Sequence, residues 1–380
     1  MLQITSGSIL SDRYTVGNQI GVGGTGVVWQ AHDDVLDREV AIKVVRNGEH
    51  ARLRREARAA ARVNDRNVVT VHDAGQDGET VFLVMELVRS GVDLAQVLRV
   101  CGPLPPELVA LVGRDLARGL GAVHEQSIIH RDIKPSNVLL TTDGDVKLSD
   151  LGIARTSDAT ATVQLTETGT IVGTIDYLAP EQLAEDDVTP AADVYALGLL
   201  LLETATGDKP FGEGTLAERA ARRLARSPEP PADLAPGLRH AIVDAVRRDP
   251  ADRPQDGNAL AEKLDAVADE ADRAKLVELV RRTVAAPTED RLAPQVTPRP
   301  SSASSPGQPT QAFTPTGVKA PAATNGTGSN GTGETSTPDV VEKVEKAARG
   351  LSPMGRLAAE AGGLVALVVL TIAIVTAVTG

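Results

Sequence analysis

The segment HRDIKPSN, residues 130–137, concentrates polar side chains directly before the apolar residues 138–140. This composition favours neither a helix nor a strand, so it predicts an irregular stretch that leads into a buried one. Asp132 could take the proton of a substrate hydroxyl, or orient it, because a carboxylate is a suitable general base. Lys134 could neutralise charge that develops on a transferred phosphoryl group. These residue types therefore indicate phosphoryl-transfer chemistry.

Two further side chains could hold a metal ion. Asn137 offers an amide oxygen and Asp150, in KLSDLGIAR, a carboxylate; both are hard oxygen ligands that suit Mg²⁺. Each residue alone could belong to an ordinary polar turn, but the combination is difficult to explain by chance. We predict a Mg²⁺ site, which Mn²⁺ could also occupy, at Asn137 and Asp150. A zinc site is not expected, since Cys101 is the single cysteine and histidines are few.

A glycine-rich stretch, GVGGTGVV, occupies residues 21–28. Gly21, Gly23 and Gly26 fit a G-x-G-x-x-G-x-V pattern that ends at Val28, and glycines let the backbone approach a phosphate closely. A plain hairpin turn or a dinucleotide-binding loop would give the same pattern. However, the β-like segment VVWQA follows the glycines where a dinucleotide-binding loop needs a helix. The stretch therefore favours a hairpin that covers phosphates.

Lys43 lies within the apolar segment VAIK of a predicted strand, 39–45. A surface lysine on an edge strand is the simple alternative, but a strand lysine beside a phosphate-covering hairpin is better explained as a phosphate ligand. It needs a carboxylate to hold it. Glu56, on the next predicted helix at 52–63, is the candidate, although the interval of 13 residues is short. Glu49 is a less suitable partner.

The surrounding pattern predicts strands first and helices later. Residues 80–88 form a further predicted strand, residues 105–126 an amphipathic helix, and residues 192–207 a buried helix. A strand-rich lobe followed by a helix-rich lobe gives an α+β fold. The apolar face of the amphipathic helix consists of Leu108, Leu111, Val112, Leu116, Leu120 and Val123.

The C-terminal quarter differs in composition. Of the 52 residues at 287–338, 31 are Pro, Gly, Ser or Thr, which predicts a disordered linker. A charged juxtamembrane segment, 339–360, follows. Residues 361–380 carry no charge and are long enough for a transmembrane helix in contact with lipid. No signal peptide is expected within residues 1–20.

The distribution of charge indicates how the chain is oriented in the membrane and argues against nucleic acid as a partner. Lys343, Lys346, Arg349 and Arg356 precede the predicted span, so the positive-inside tendency places residues 1–360 in the cytoplasm of a single-pass membrane protein. The net charge of −12 argues against nucleic-acid binding by a broad basic surface.

Six ordered motifs make the chain resemble bacterial, membrane-anchored, eukaryotic-like protein Ser/Thr kinases. Residues 14–267 carry the resemblance, which implies a two-lobed kinase fold with a β-rich N-lobe, 14–88, and a helical C-lobe, 89–267. The motifs are GVGGTGVV, VAIK, HRDIKPSN, DLG, APE at 179–181 and DVYALG at 193–198. Leu151 stands where the family usually has Phe, and as another apolar residue it should serve.

The resemblance implies ATP as phosphoryl donor, Mg²⁺ as metal and protein substrates as acceptors. Lys43 would contact the α- and β-phosphates and pair with Glu56, Asp132 would be the catalytic base, and Lys134 would lie near the γ-phosphate. Met85 would guard the back of the adenine pocket. The implied ATP-binding residues are Ile20, Gly21, Gly23, Gly24, Gly26, Val28, Ala41, Lys43, Met85, Glu86, Val88 and Asp150, with Glu86 and Val88 binding adenine through their backbones.

The resemblance also implies regulation by phosphorylation. Arg131 would receive an activation-loop phosphate, and Thr166 and Thr168 match the usual autophosphorylation pair, which a transient homodimer would serve. Lys134 and the substrate-facing Thr174 are typical of Ser/Thr specificity.

Some of the implied roles are structural. Asp193 would hold the catalytic loop, residues 130–137, in place, and His130 would serve a structural role in that loop. Glu181 would pair with Arg253.

Two rival hypotheses stay open from the sequence alone. The chain could be a membrane-tethered pseudokinase that acts as a scaffold, although every catalytic position is filled. It could also be a small-molecule phosphotransferase of similar fold, although the complete APE and Thr174 region argues for a peptide substrate.

Overall fold

The computed structural model of the chain describes eight stretches, and all of them lie within one compact unit, Met1–Gln295. A second unit, Val296–Gly380, lies wholly outside the described residues. The described stretches are residues 4–23, 26–45, 57–89, 91–151, 164–165, 171–172, 175–184 and 187–287.

An antiparallel sheet forms the N-terminal lobe. The described strands run in the order β1-β2-β3-β4-β6-β5. The strands predicted at 39–45 and 80–88 are confirmed as β4 and β6, and a strand does follow the glycines. The bounds are β1 Ile9–Leu10, β2 Tyr14–Gly23, β3 Gly26–Asp33, β4 Arg38–Val45, β5 Val71–Asp77 and β6 Thr80–Glu86.

Both faces of this sheet are covered, which explains why β4 is buried from Val40 to Lys43. Successive side chains of a strand point to opposite faces. Val40 and Ile42 belong to the outer apolar cluster, while Ala41 belongs to the cluster that faces the helical lobe. Lys43 shares the face of Ala41 because it lies two residues further along. The alternation therefore aims the lysine at the space between the lobes.

Trp29, the one tryptophan of the chain, lies in β3 opposite Ile42 of β4. It is half-buried and packs against the outer cluster. In the same cluster the rings of Tyr14 and Phe82 meet edge to face, with centroids 5.9 Å apart. Aromatic residues make up 2% of the chain, so this small group supplies much of the aromatic packing of the N-lobe.

An arginine anchors the N-terminal hairpin. Arg13 Nε donates to Asp33 Oδ1 at 2.8 Å, and Arg13 Nη2 donates to Asp33 Oδ2 at 2.8 Å. The Asp33 side chain is fully buried. These hydrogen bonds lower the pKa of Asp33 to about 2.

Helices form the C-terminal lobe. The predicted amphipathic and buried helices are confirmed as α2 and α4, and the predicted apolar face of α2 is buried throughout. Proline begins α2, α3, α4 and α6, at the position where a missing N–H is harmless. The bounds are α1 Leu94–Cys101, α2 Pro106–Glu125, α3 Pro180–Ala184, α4 Pro190–Thr206, α5 Leu216–Ala225, α6 Pro236–Ala245, α7 Gly257–Asp265 and α8 Arg273–Ala285.

Short strands and turns of 3₁₀ helix complete the lobe. Strands β7, β8 and β9 form an antiparallel sheet, in which β8 and β9 make a hairpin, and β10 pairs with β11. The strands are β7 Val92–Asp93, β8 Val138–Leu140, β9 Val146–Leu148, β10 Gln164–Leu165 and β11 Ile171–Val172. The 3₁₀ turns are Pro135–Asn137, Ile175–Tyr177, Pro250–Asp252 and Glu270–Asp272.

Helix α8 lies beyond the predicted end of the kinase domain at 267. Leu276 and Val280 of this helix are buried in the core of the helical lobe. Among the described residues, none of the helices combines the length and apolar character needed to cross a bilayer. The predicted span, 361–380, lies outside the described residues, as do residues 288–360.

Candidate active site

The loop between α2 and β8 brings three predicted residues together. Lys134 Nζ lies 2.9 Å from Asp132 Oδ2. Asn137 Nδ2 donates to the same oxygen at 3.0 Å and to the backbone carbonyl of Asp132 at 2.8 Å. The carboxylate is thus held in place by an ammonium group and an amide. Positioned in this way, Asp132 could accept a proton from a substrate hydroxyl.

Asp193 of α4 fixes the backbone of this loop by hydrogen bonds. Its carboxylate accepts from the backbone N–H groups of His130 at 2.7 Å and Arg131 at 2.8 Å, and it lies 3.0 Å from Nε2 of His124. Arg131 has a φ of 61°, a conformation that is uncommon for a residue with a Cβ. Because Asp193 is 1% exposed, these hydrogen bonds are shielded from water. The predicted structural role of Asp193 is confirmed.

His130 is fully buried. Its Nε2 lies 2.9 Å from the backbone oxygen of Ser149. This contact connects the catalytic loop to the segment that carries Asp150, so the structural role predicted for His130 is also confirmed.

Lys43 and Asp150 meet between the lobes. Lys43 Nζ donates to Asp150 Oδ1 at 2.8 Å, with the lysine side chain 10% exposed and the aspartate 34% exposed. Asp150 has a φ of 58°, again in the left-handed region. Glu56, the partner predicted for Lys43, lies outside the described residues, and so does Glu49. The ion pair with Asp150 was not foreseen from the sequence.

The predicted metal ligands fit a hard cation. Both hydrogens of the Asn137 amide are directed at Asp132, so its oxygen faces the other way, and among the described residues no donor contacts that oxygen or Asp150 Oδ2. Ser149 joins the two ligands, since its N–H and hydroxyl both donate to the backbone oxygen of Asn137, at 2.8 and 2.9 Å. A Mg²⁺ ion prefers such oxygen ligands and keeps several others from water or phosphate.

A metal site built from protein carboxylates, imidazoles or thiolates alone is not present in the described part of the chain. No group of three or more His, Cys, Asp or Glu side chains is suitably placed there. Mg²⁺ is commonly held by one or two protein ligands together with the phosphates of a substrate. The set Asn137 and Asp150 therefore fits an ion that is shared with a ligand's phosphates.

An apolar cavity lies beside the Lys43–Asp150 pair. Met85 reaches it from β6, where it is paired with Ala41 of β4. Leu151, which replaces the family's usual Phe, lines it as well and is buried, as an apolar residue can be. The lining residues are Lys43, Val45, Val69, Val71, Leu83, Met85, Asp150 and Leu151.

Residues that follow Met85 could bind a flat, polar ring. The N–H of Glu86 is occupied by the carbonyl of Thr70 at 2.9 Å, and its side chain lies 2.9 Å from Lys147 Nζ. Within the described residues the N–H of Val88 donates no hydrogen bond, while its carbonyl accepts from Gly91 at 3.3 Å. The N–H of Val88 is therefore available to a ligand. Val88 packs against the inter-lobe cluster, which is the cluster around Ala41, Leu83 and Met85 that faces the helical lobe.

Sequence reasoning missed Leu139. In the hairpin of β8 and β9, Val138 and Leu140 are fully buried in the core of the helical lobe, whereas Leu139 packs against the inter-lobe cluster with Ala41 and Met85. The period-2 alternation of a strand would have identified it, because a residue between two core residues must face the other way.

The glycine pattern folds as the predicted hairpin. Gly21 of β2 is paired with Val28 of β3, and Gly23 is paired with Gly26. A Cβ on Gly26 would collide with the backbone oxygen of Val44 in β4, so this position requires glycine. Ile20 is 50% exposed. Gly24 lies outside the described residues.

A second cavity is lined by Asp132 and Tyr177, and Tyr177 belongs to a further set of contacts. The Tyr177 hydroxyl donates to the Glu203 carboxylate, and Lys209 Nζ lies 2.8 Å from Tyr177 Oη and 2.7 Å from Glu203 Oε1. Burial and the negative charge of Glu203 raise the pKa of Tyr177, so it stays a neutral donor. This cluster fixes the segment that follows Thr174. Thr166, Thr168 and Thr174 themselves lie outside the described residues.

The predicted pair of Glu181 and Arg253 is confirmed. Arg253 Nη1 donates to Glu181 Oε1 at 2.7 Å and Nη2 to Oε2 at 2.9 Å. The Arg253 side chain is 0% exposed and the Glu181 side chain is 4% exposed. The bidentate pair anchors the start of α3, which follows the Tyr177 segment.

Comparison with known proteins agrees with this arrangement. The protein kinase domain family matches residues 14–264. Serine/threonine-protein kinase PknL of Mycobacterium tuberculosis is 41% identical over 273 residues, which cover 69% of this chain and 67% of PknL. Serine/threonine-protein kinase PknA of the same organism is 36% identical over 335 residues, which cover 85% of this chain and 71% of PknA.

The family match covers most of the described residues, including the glycine hairpin, Lys43, the catalytic loop and Asp150. The two-lobed fold is the one that the sequence motifs predicted, and Asp132, Lys134 and Asn137 lie together in the loop before β8. The chain therefore belongs to the protein kinase domain family and is a serine/threonine protein kinase of the bacterial, eukaryotic-like kind.

Proposed function

We propose that this kinase transfers the γ-phosphate of Mg²⁺-bound ATP to serine and threonine hydroxyls of protein substrates at the inner face of the cell membrane. The observation that carries the proposal is the convergence of four side chains. Lys43 contacts Asp150 at 2.8 Å, Asn137 contacts Asp132 at 3.0 Å, and Ser149 connects the two pairs.

Asp132 acts as the base in this proposal. As the substrate oxygen attacks the γ-phosphorus, its proton passes to the Asp132 carboxylate and ADP leaves. Lys134, 2.9 Å from that carboxylate, is placed to stabilise negative charge on the transferred group. Asn137 holds the carboxylate in one orientation, which favours attack from a single direction.

Lys43 and the metal ligands would hold the triphosphate. Lys43 binds the α- and β-phosphates, and Asn137 Oδ1 and Asp150 Oδ2 hold Mg²⁺, which supplies positive charge for the phosphate oxygens. The glycine hairpin lies over the phosphates. Adenine packs against the cluster that contains Ala41, Met85 and Leu139, with the N–H of Val88 as one donor. Glu56 serves as the second partner of Lys43.

Activation is proposed to depend on autophosphorylation of Thr166 and Thr168 in trans. A phosphothreonine carries close to two negative charges and pairs strongly with arginine. Arg131 is placed for this because its backbone is fixed by Asp193 at 2.8 Å. Replacing both threonines by alanine should lower activity at least tenfold; unchanged activity would refute this part.

Membrane attachment is proposed through residues 361–380. In this layout residues 14–267 are the kinase domain, residues 287–338 a linker, and residues 339–360 a juxtamembrane segment on the cytoplasmic side. The support is the absence of charge in residues 361–380 and the four basic residues before them. A chain that ends at residue 360 should lose its sedimentation with membranes while it keeps kinase activity.

The decisive experiment measures three things: which residues of the products carry phosphate, how tightly ADP binds, and how fast the γ-phosphate is transferred. Wild type, Asp132→Asn and Asn137→Ala are incubated with γ-labelled ATP, Mg²⁺ and a generic protein substrate. Asp132→Asn should bind ADP with Mg²⁺ as wild type does and transfer at least 100-fold more slowly. Equal transfer by Asp132→Asn and wild type would refute the assignment of the base, and label on neither Ser nor Thr would refute the substrate class.

A further inference from the structure

The helix that follows the family match is part of the folded lobe. The match ends at residue 264, and α8 spans Arg273–Ala285. Leu276 and Val280 are 0% and 1% exposed. At the other end, Thr283 is fully buried and its Oγ1 lies 3.7 Å from Cys101 Sγ of α1. The helix therefore has a fixed position against the rest of the domain.

The first residue of this helix makes contacts that reach far along the chain. Arg273 Nη1 donates to the backbone oxygen of Gly144 at 2.7 Å, and Nη2 donates to Asp115 Oδ2 of α2 at 2.9 Å. Nε donates to Glu270. The side chain is 15% exposed. Asp115 is held from its other side by Arg114 at 2.8 Å.

Gly144 lies at the tip of the hairpin formed by β8 and β9. Its φ is 82°, and a Cβ there would lie 2.9 Å from Val277 and 3.0 Å from Arg273. The tip thus rests directly on α8. The neighbouring Asp145 is also bound, by Arg66 from the N-lobe side.

The two ends of the same hairpin carry the metal ligands. Asn137 immediately precedes β8, and Asp150 lies two residues after the end of β9. Three residue pairs join the strands between these ends and the tip, from Val138 with Leu148 to Leu140 with Val146. A strand of three residues spans only about 10 Å, so a shift of the tip is transmitted to the ligands over a short, stiff path.

We propose that Arg273 is a positioning residue for the Mg²⁺ site. It holds the tip of the hairpin against α2, and the hairpin in turn sets the separation of Asn137 and Asp150. The inference rests on the proposed role of these two residues as metal ligands. It also makes α8 a functional part of the kinase domain, beyond the limits at 264 and 267.

The test measures Mg²⁺-dependent binding of ADP, so that no turnover is involved. Binding of ADP to the full chain in detergent is followed by calorimetry while Mg²⁺ is varied. The variants are Arg273→Gln, whose shorter neutral amide cannot hold Gly144 and Asp115 together, and Arg273→Lys, which keeps the charge. Lys275→Ala is the matched control, since Lys275 lies on the same helix, is 57% exposed and pairs with Glu107 and Asp272.

The Mg²⁺ concentration at half-saturation should rise about five- to tenfold in Arg273→Gln, somewhat less than for loss of a direct partner of a ligand. It should rise less in Arg273→Lys and stay unchanged in Lys275→Ala. A purely structural role would lower the melting temperature and leave this midpoint where it is in wild type. Since Arg114 still neutralises Asp115, Arg273→Gln should fold.

Equal midpoints for Arg273→Gln, Lys275→Ala and wild type would overturn the inference. If Arg273→Gln is recovered unfolded, Arg273→Lys decides, because its single ammonium cannot satisfy Gly144, Asp115 and Glu270 together; an unchanged midpoint again overturns the inference. Failure of the metal assignment gives a different result: ADP binding to wild type would then be independent of Mg²⁺, or unaffected by Asn137→Ala.

Discussion

Replacing Arg253 by alanine should remove a large part of the stability of the helical lobe. Its guanidinium donates to both oxygens of Glu181 and to three backbone carbonyls, those of Ala191 at 3.0 Å, Arg247 at 2.6 Å and Arg248 at 2.7 Å. The variant would leave a carboxylate that is 4% exposed without a counter-charge. Truncation of one partner of a buried ion pair destabilises by about 3–5 kcal/mol.

Of the three carbonyls left without this donor, that of Ala191 lies in a buried contact and the other two lie in partly buried ones. Loss of the buried hydrogen bond adds about 1 kcal/mol. The expected total of about 4–6 kcal/mol compares with about 5–15 kcal/mol for the stability of a whole domain. At about 2–4 °C per kcal/mol for a domain of this size class, the melting temperature should fall by about 10–20 °C.

Thermal unfolding followed by circular dichroism measures this shift. Arg247→Ala is the control, because that side chain is 48% exposed and pairs with Asp244 near the surface, where such pairs contribute about 0–1 kcal/mol. The double variant Glu181→Gln/Arg253→Ala should be more stable than Arg253→Ala, since no buried charge is left unpaired. A melting temperature for Arg253→Ala within about 2 °C of the control would contradict the reasoning.

Three further predictions concern the hairpin, the N-lobe and the substrate side. Gly26→Ala should weaken ADP binding at least tenfold in calorimetry because its Cβ would displace β4, whereas Gly21→Ala, whose Cβ would lie 3.6 Å from Val28, should have a smaller effect. Asp33→Asn should lower the free energy of unfolding at pH 7. The pKa of Asp33 is about 2 in the fold and 3.8 ordinarily, so the charged form favours folding. The difference in free energy of unfolding between wild type and Asp33→Asn, measured by denaturant titration, should therefore shrink as the pH falls from about 4 to about 2. Tyr177→Phe should destabilise by about 1–2 kcal/mol, through loss of its bond to Glu203, and raise the KM for a protein substrate; an unchanged KM would show that the segment needs no such support.

Patterns that are local in the sequence predicted the catalytic framework well. The glycine hairpin, the strand position of Lys43 and the buried face of α2 follow from residue type and period alone. Asp132, Lys134 and Asn137 could be placed together because only a few residues separate them. The pairs of Asp193 with the catalytic loop and of Glu181 with Arg253 came from the family resemblance, since 62 and 72 residues separate the partners.

Contacts between distant segments without a motif were not predictable in the same way. The ion pair of Lys43 with Asp150 spans 107 residues, and the bond from Arg273 to Asp115 spans 158. The predicted kinase domain ended at 267 because the family resemblance ended there. The attachment of α8 depends in part on Arg273, whose partners only the fold brings near. Leu139 was overlooked although strand alternation points to it.

The position of Trp29 gives the protein a built-in optical reporter. A chain with a single indole emits from one known place under selective tryptophan excitation, and here that place is the strand that begins at the glycine hairpin. Emission changes on addition of nucleotide would describe the N-lobe alone, without contributions from tryptophans in the helical lobe or the C-terminal quarter. Nucleotide binding at the hairpin can thus be timed by stopped-flow fluorescence on the native sequence, with no label and no engineered residue.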